Sequence, residues 1–200
     1  MRPVVTYIVI AIVAGFIGGN ITDASKIAGK VRHYFSDDNE PVDFWSTPAI
    51  AGYGKMHYFD VTAFKPDSQL SNKVVFQINK SEGEMTAPNL GLERVARVTN
   101  LYVAAGVPLD KLKFVVSVNS DAVPAVLNNE QYHKIYGVDN PNLKLIAELR
   151  QAGVEISVCD QSVAFHHLQQ DWIDKSVVHT LSSGTTVATL QNQGYAFLPL

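Results

Sequence analysis

Short apolar runs rich in β-branched residues alternate with longer amphipathic stretches over the last two thirds of the chain. The runs predict strands at 74–78, 114–118, 154–158, 177–178 and 195–198. The stretches between them predict helices at 88–105, 122–136 (with a break near 128–129), 139–152, 160–172 and 182–193. Strands that alternate with helices pair in parallel through right-handed crossovers. The pattern therefore predicts one α/β domain over residues 73–200, with a mostly parallel five-stranded sheet.

The first residues of the chain have the pattern of a targeting segment. Arg2 precedes an apolar run at 4–19 that two polar side chains interrupt. Its length fits either a cleaved signal peptide or an uncleaved membrane anchor, so residues 1–24 are expected to direct the body of the protein across a membrane. The prediction is a periplasmic or otherwise exported protein. If the leader is retained, residues 4–21 tether it to the inner membrane.

Residues 25–72 separate this leader from the domain and form a tether followed by an extended arm. The arm is rich in aromatic residues that alternate with Gly52 and Gly54: Phe44, Trp45, Tyr53, Tyr58, Phe59 and Phe64. Aromatic side chains in an extended segment are typical of packing on a domain or across a dimer.

Composition and charge narrow the kinds of partner. The chain has 16 basic and 19 acidic residues and a formal net charge of -3. This balance argues against a nucleic-acid partner and offers no basic patch for acidic lipids. The six histidines and the one cysteine stand in no zinc-binding spacing, so no metal site is expected.

The one cysteine, Cys159, follows the apolar run at 154–158 and opens the polar stretch Asp160-Gln161-Ser162. Open α/β sheets place their chemistry at the carboxyl ends of strands. The N-terminus of the next helix would favour the thiolate, which is the reactive form. With no second cysteine, a disulfide within the chain is excluded. Two interpretations stay open: a thiol kept for its reactivity, or a small buried apolar group.

Four loops are expected to meet at the edge of the sheet where Cys159 lies. A parallel sheet brings together the loops that follow its strands, here 79–84, 119–121, 159–162 and 180–186. They supply groups suited to a small anionic or sulfur-bearing ligand: Lys80, Asn119, Gln161, Ser162, Ser183 and Thr185. Simpler interpretations exist, because Lys80 near two glutamates is typical of a solvated charge and the hydroxyls near 183 are typical of a helix N-cap.

Charged and titratable residues near Cys159 in the sequence suggest further hypotheses about the pKa and the chemistry of its thiol. Asp160 is expected to raise the thiol pKa and so to oppose the effect of the helix. His166 or His167 could act as a base toward the thiol, or bind a metal with Cys159 and His179. Adjacent helical residues diverge by about 100°, so at most one of the pair faces the sulfur. A surface histidine beside a half-buried one explains the pair without any chemistry.

Distinctive segments are spread in order over residues 52–200. They are Gly52-Tyr53-Gly54-Lys55, Lys73-Val74-Val75-Phe76, Gly91-Leu92-Glu93-Arg94-Val95-Ala96-Arg97 with Asn100, Asn140-Pro141-Asn142 with Leu145-Ile146, Ala152-Gly153-Val154-Glu155-Ile156, Val158-Cys159-Asp160-Gln161-Ser162 and Gln193-Gly194-Tyr195. Together they resemble the DsrE/DsrF-like family of sulfur-relay proteins, in particular an exported branch with a leader and an aromatic arm.

The resemblance implies a flavodoxin-like sheet with helices on both faces, a homo-oligomer of two, three or six copies, and a strand-end cysteine that carries sulfur as a persulfide. Cys159 matches that functional position. Two motifs depart from the family pattern. The usual Cys-Gly-Gln is Cys159-Asp160-Gln161 here, and the His-Gly that often follows the second strand is Asn119-Ser120.

The leading hypothesis is an exported sulfur carrier, or sulfurtransferase-like protein, that exchanges sulfur with a donor or acceptor protein. Such thiol chemistry needs no metal or organic cofactor. The alternative is a non-catalytic oligomeric binding or assembly module in which Cys159 is structural. Fold and family do not decide between them, so whether the protein is an enzyme stays open.

Overall fold

A computed structural model describes residues 41–200 of the protein. The sheet belongs to a compact unit formed by Trp45–Leu200. The predicted leader and the first part of the tether fall within residues 1–40, outside the described residues. Across residues 41–200, no helix combines the length and the apolar character that crossing a membrane requires.

Five parallel strands form one sheet. They are β1 (Lys73–Ile78), β2 (Lys113–Val118), β3 (Glu155–Cys159), β4 (Val178–Thr180) and β5 (Ala196–Pro199). Their order across the sheet is β4-β3-β2-β1-β5, and every pairing is parallel. The inner strands β1 to β3 are rich in β-branched residues, as is usual for strands covered on both faces. The flavodoxin-like α/β fold with a parallel five-stranded sheet is therefore confirmed.

Five α-helices of the described residues connect these strands. They are α1 (Leu90–Ala104), α2 (Asn129–Tyr136), α3 (Asn142–Gln151), α4 (Asp160–Phe165) and α5 (Ser183–Asn192). A 3-10 segment, Ser120–Val126, precedes α2, so the break predicted near 128–129 is confirmed. The helix predicted at 160–172 is too long. Its chain leaves helical geometry at His167, where φ is +56°, and only a 3-10 turn at Gln170–Trp172 follows.

The two faces of the sheet are covered differently. On one, which we call the core face, Phe76, Phe114 and Ile156 pack with α1 and α3 in the main apolar core. The other, which we call the α5 face, carries the alternate residues of the same strands, and α5 packs there on β1, β2 and β5. Helices thus lie on both faces, as right-handed crossovers require when the chain runs from β1 to β4 in one direction and returns to β5.

Residues 49–54 of the arm are held against α1 by several hydrogen bonds, four of them to the buried side chain of Asn100. Asn100 Oδ1 accepts hydrogen bonds of 2.8 Å from the two backbone N–H groups of residues 49–50. Its Nδ2 donates to the carbonyls of Tyr53 at 2.9 Å and Gly54 at 3.0 Å. A Cβ on Gly54 would lie 2.2 Å from the backbone of α1, so only glycine allows this approach. The arm therefore folds as part of the same compact unit as the sheet.

Candidate functional site

Cys159 is the last residue of β3 and lies beside Thr180, the last residue of β4. After β3 the chain passes to the core face, where Val163 of α4 joins the apolar core. After β4 it passes to the opposite face and forms α5. The carboxyl ends of β3 and β4 are thus the point where the connections diverge, which is where open α/β sheets bind ligands. The sequence predicted that the cysteine lies at a strand end. The topology adds that the connections after β3 and β4 leave this end toward opposite faces of the sheet.

The thiol of Cys159 is surrounded by hydrogen-bond donors. The hydroxyl of Ser162 and the backbone N–H groups of Gln161, Ser162 and Ser183 all donate to it. The residue is 4% exposed. Burial raises the pKa of the Cys159 thiol, but these four hydrogen bonds lower it by more, so the thiol pKa lies below its ordinary value. Donors from the first turns of both α4 and α5 therefore favour the thiolate.

Ser162 is itself held in the orientation that serves the thiol. Its Oγ accepts a hydrogen bond of 3.0 Å from the backbone N–H of Ser120, which leaves the hydroxyl hydrogen to Cys159. Ser120 has a φ of +49°, a conformation that costs a serine free energy. His166 Nε2 lies 3.0 Å from the carbonyl oxygen of Ser120 and helps to hold that peptide. His166 thus contacts the loop after β2 through its ring.

The side chain of Ser183 is held in place by two polar side chains of the sheet. Its Oγ accepts hydrogen bonds from Gln77 Nε2 at 2.8 Å and from the hydroxyl of Ser117 at 2.9 Å. Ser117 is fully buried and Ser183 nearly so. Gln77, Ser117 and Ser157 pair with one another in register, so they form a polar row across β1, β2 and β3.

The sequence reasoning missed this polar row. The signal was present, since each of the three apolar runs contains one amide or hydroxyl residue close to its carboxyl end. A single polar residue in a strand is weak evidence by itself. Only the strand register shows that the three lie side by side and on the same face.

The carboxylate of Asp160 is directed to groups other than the thiol. Its Oδ1 lies 2.6 Å from Nδ1 of His179, and its Oδ2 accepts a hydrogen bond of 2.6 Å from Gln170 Nε2. The pKa of Cys159 is set by burial and by the four hydrogen bonds to its sulfur. The expectation that Asp160 raises the thiol pKa is therefore not supported by this geometry.

Asn119 lies next to Cys159 across the strands. Its backbone N–H donates to the carbonyl of Ile78 and so continues the ladder one step beyond β2. Val118 pairs with Val158, which places the following residues, Asn119 and Cys159, at the same level. Asn119 Nδ2 makes a 3.3 Å hydrogen bond with Ser120 Oγ, whereas its Oδ1 is buried without a hydrogen-bond partner among the described residues.

Two of the predicted site residues are placed away from the thiol's donors. Lys80 is exposed, and its backbone carbonyl accepts a hydrogen bond from Asn89. Thr185 is exposed, and its hydroxyl donates to the backbone carbonyl of Ser182, the N-cap of α5. The structure thus brings Gln161, Ser162 and Ser183 to Cys159 and leaves Thr185 in the capping role that the simpler interpretation predicts.

The metal alternative finds no donor set among residues 41–200, where no group of three His, Cys, Asp or Glu residues could hold an ion. His166 contacts Ser120, and His179 contacts Asp160. His179 pairs with Val158 in the sheet, so its ring is on the core-face side, whereas Cys159 is one residue further on and faces α5.

Comparison with known proteins gives a family match. A family model described as the DsrE/DsrF-like family matches residues 56–200 of this chain. One solved structure that is similar is that of MTH1491, a protein of unknown function from Methanobacterium thermoautotrophicum. It shares 18% sequence identity, the match covers 64% of this chain and 97% of that chain, and the TM-score is 0.47. No curated protein matches this chain at a significant level.

Proposed function

We propose that this chain, which belongs to the DsrE/DsrF-like family, takes part in sulfur relay by carrying sulfane sulfur as a persulfide on Cys159. The family supports sulfur relay in general. The observation that carries the finer proposal is the set of four hydrogen bonds that converge on the Cys159 sulfur and lower the thiol pKa. A buried cysteine that served only as packing would need no such donors.

Loading is a thiol–disulfide type exchange. The Cys159 thiolate attacks the outer sulfur of a donor R–S–SH, a bond forms between Cys159 Sγ and that sulfur, and the S–S bond of the donor breaks. The donor leaves as R–S⁻ and takes up the proton of the transferred sulfhydryl, which leaves Cys159 as the persulfide anion. Sulfur moves as a neutral atom, so no external oxidant or reductant is required.

Unloading reverses these roles. An acceptor thiolate attacks the outer sulfur of the persulfide, and Cys159 leaves as a thiolate. The donors that favour the attacking thiolate also stabilise it as a leaving group, because the same negative charge returns to Sγ. Ser162 and the amides of Gln161 and Ser183 would therefore assist both half-reactions.

Asn119 is suited to contact the added sulfur. Its half-buried side chain follows β2, next to Cys159 across the strands, and its buried Oδ1 has no hydrogen-bond partner among the described residues. Amide oxygen and nitrogen are distinguished only by their hydrogen-bond network, so this side chain can present either an acceptor or a donor to a sulfur beyond Sγ. We therefore retain Asn119 as a binding residue.

We further propose that the relay operates outside the cytoplasm, between partner proteins that supply and accept sulfur, and in a homo-oligomer. Export is supported by the apolar run at 4–19 that follows Arg2. The partners and the oligomer are supported by the family resemblance alone.

Intact mass spectrometry of the protein before and after treatment with inorganic polysulfide tests the persulfide. We expect the wild type to gain sulfur and Cys159→Ser to gain none, because the chain has no other cysteine. Subsequent reduction with a small dithiol should remove the added mass. Equal gain in both proteins, or none in the wild type, would contradict the proposal.

One observation favours the second candidate, a non-catalytic binding or assembly module. Cys159 is 4% exposed, which limits access for a protein donor. On this view the native thiol reacts slowly with iodoacetamide even above its pKa, and Cys159→Ser destabilises the fold without removing any sulfur-loading activity. The mass measurement above separates the two candidates, since only a carrier gains sulfur while folded.

A further inference from the structure

We propose that Ser117 and Gln77 are positioning residues for Cys159, and that they act through the backbone N–H of Ser183. The inference rests on the proposed function for its purpose, which is to hold a thiolate ready for sulfur exchange. Neither side chain is a hydrogen-bond donor to the sulfur, so neither is a catalytic residue.

The geometry connects these side chains to the thiol in two steps. Gln77 Nε2 and Ser117 Oγ both donate to Ser183 Oγ, at 2.8 Å and 2.9 Å. Ser183 is the first residue of α5, and its backbone N–H donates to Cys159. The hydroxyl and the amide belong to one residue, so fixing the hydroxyl from the sheet restricts the direction in which the amide points.

The connection between β4 and α5 alone would fix this amide less firmly. Only Leu181 and Ser182 lie between the end of β4 and the first residue of α5, and Leu181 is exposed. The N-cap hydrogen bond of Ser182 orders the helix start but does not connect it to the inner strands. Gln77 and Ser117 provide that connection, because β1 and β2 lie on the far side of Cys159 from β4.

Burying these polar groups carries a free-energy cost that an apolar contact would avoid. Ser117 and Ser183 are 0% and 3% exposed, and the preceding positions on this face of β1 and β2 are Val75 and Val115. Buried polar groups are tolerated when hydrogen bonded, and they favour one arrangement over others. Here the favoured arrangement is the one that places an N–H group against the thiol.

Ser157 provides a matched control on the same face. It is the third member of the polar row, it is 2% exposed, and its hydroxyl donates to the carbonyl of Val116 at 2.9 Å. Ser117→Ala and Ser157→Ala therefore each remove one buried hydroxyl and one hydrogen bond. Only the first of these hydrogen bonds leads to Ser183.

The experiment is the rate of alkylation of Cys159 by iodoacetamide as a function of pH in the full chain. Ser117→Ala and Gln77→Met are expected to raise the thiol pKa, and so to lower the alkylation rate at a given pH below it by about three- to tenfold, the usual worth of a weakened hydrogen bond to a charge. Ser157→Ala should keep the wild-type profile. Ser117→Thr, which keeps the hydroxyl, should restore it in part.

Three outcomes would overturn the inference: an unchanged profile in the folded Ser117→Ala and Gln77→Met proteins, an equal shift in Ser157→Ala, or no rescue by Ser117→Thr while that variant is folded. If Ser117→Ala fails to fold, Gln77→Met decides alone, since Gln77 is only half-buried. The alkylation rate reports on the thiol pKa and does not depend on any transfer of sulfur to Cys159. A wild type that gains no sulfur from polysulfide contradicts the proposed function and leaves the positioning result intact.

Discussion

The core face and the α5 face belong to the same strands, yet their side chains have different roles. On the core face, the ring of Phe114 contacts Phe76 and Tyr102 edge to face, with centroids 5.2 Å and 5.1 Å apart. On the α5 face, Ser117 of the same strand is just as buried but makes a hydrogen bond to a helix start. The comparison indicates that one face supplies apolar packing and the other supplies the hydrogen-bond geometry around the Cys159 thiol.

This division follows from the two-residue period of a strand. Each strand sends successive side chains to opposite faces, so apolar packing on one face does not prevent polar contacts on the other. Burying a large apolar side chain contributes about 1.5–3 kcal/mol, whereas a typical hydrogen bond contributes about 1 kcal/mol net. The polar row therefore contributes little to the free energy of unfolding. Its role is to orient hydrogen-bond donors.

The largest expected effect is on the core face. Phe114→Ala should lower the free energy of unfolding by about 3–5 kcal/mol, because it leaves a cavity beneath α1. Urea unfolding followed by circular dichroism measures this loss. The pH profile of Cys159 alkylation in the folded variant should stay that of the wild type. A thiol pKa that rises with the loss of Phe114 would show that the two faces are coupled.

The sequence predicted the strands and most helices because β-branched runs and amphipathic periods are local signals. It also predicted that Cys159 ends a strand and precedes a helix start, as the structure shows. The partnership of Ser117 with Ser183 was not predictable in this way. These residues are 66 positions apart, and only the strand order and register bring them together. The early end of α4 was missed for a similar reason, because the contacts of the turn that follows are not local.

The direction of the Asp160 side chain also needed the fold. Sequence places this carboxylate next to the thiol, and elementary electrostatics then predicts a raised thiol pKa. Its partner His179 is on β4, and its partner Gln170 is in the turn before β4. Asp160 follows Cys159 in the sequence, but its carboxylate is hydrogen bonded to other residues and not to the sulfur.

A smaller effect should appear in how stability changes with pH. The pKa of Cys159 is lowered in the folded protein by hydrogen bonds that the unfolded chain lacks. The folded state then releases its proton at lower pH than the unfolded state, so the stability gained by wild type over Cys159→Ser should be fully present above the ordinary thiol pKa of about 8.5. It should be lost as pH falls through the folded-state pKa.

Paired urea titrations of the two proteins between pH 5 and pH 9.5, with the difference in unfolding free energy plotted against pH, measure this gain. The difference should rise with pH across that window. A flat difference would mean that the donors around Cys159 only offset the cost of burying the thiolate. A difference that falls with pH would mean that burial outweighs them, and the α5 face would then resemble the core face.

The smallest expected effect is that of Asp160→Asn on the thiol. Its carboxylate contacts His179 and Gln170, so removing its charge should change the alkylation rate of Cys159 by less than about threefold at any pH. His179→Gln is the informative companion, because it removes one partner while the carboxylate stays. If that variant raises the thiol pKa and Asp160→Asn does not, then His179 holds the charge away from the sulfur, and an aspartate directly after the cysteine is compatible with a reactive thiolate. If Asp160→Asn alone lowers the thiol pKa strongly, the carboxylate acts on the sulfur despite its partners, and the four donors around Cys159 work against it.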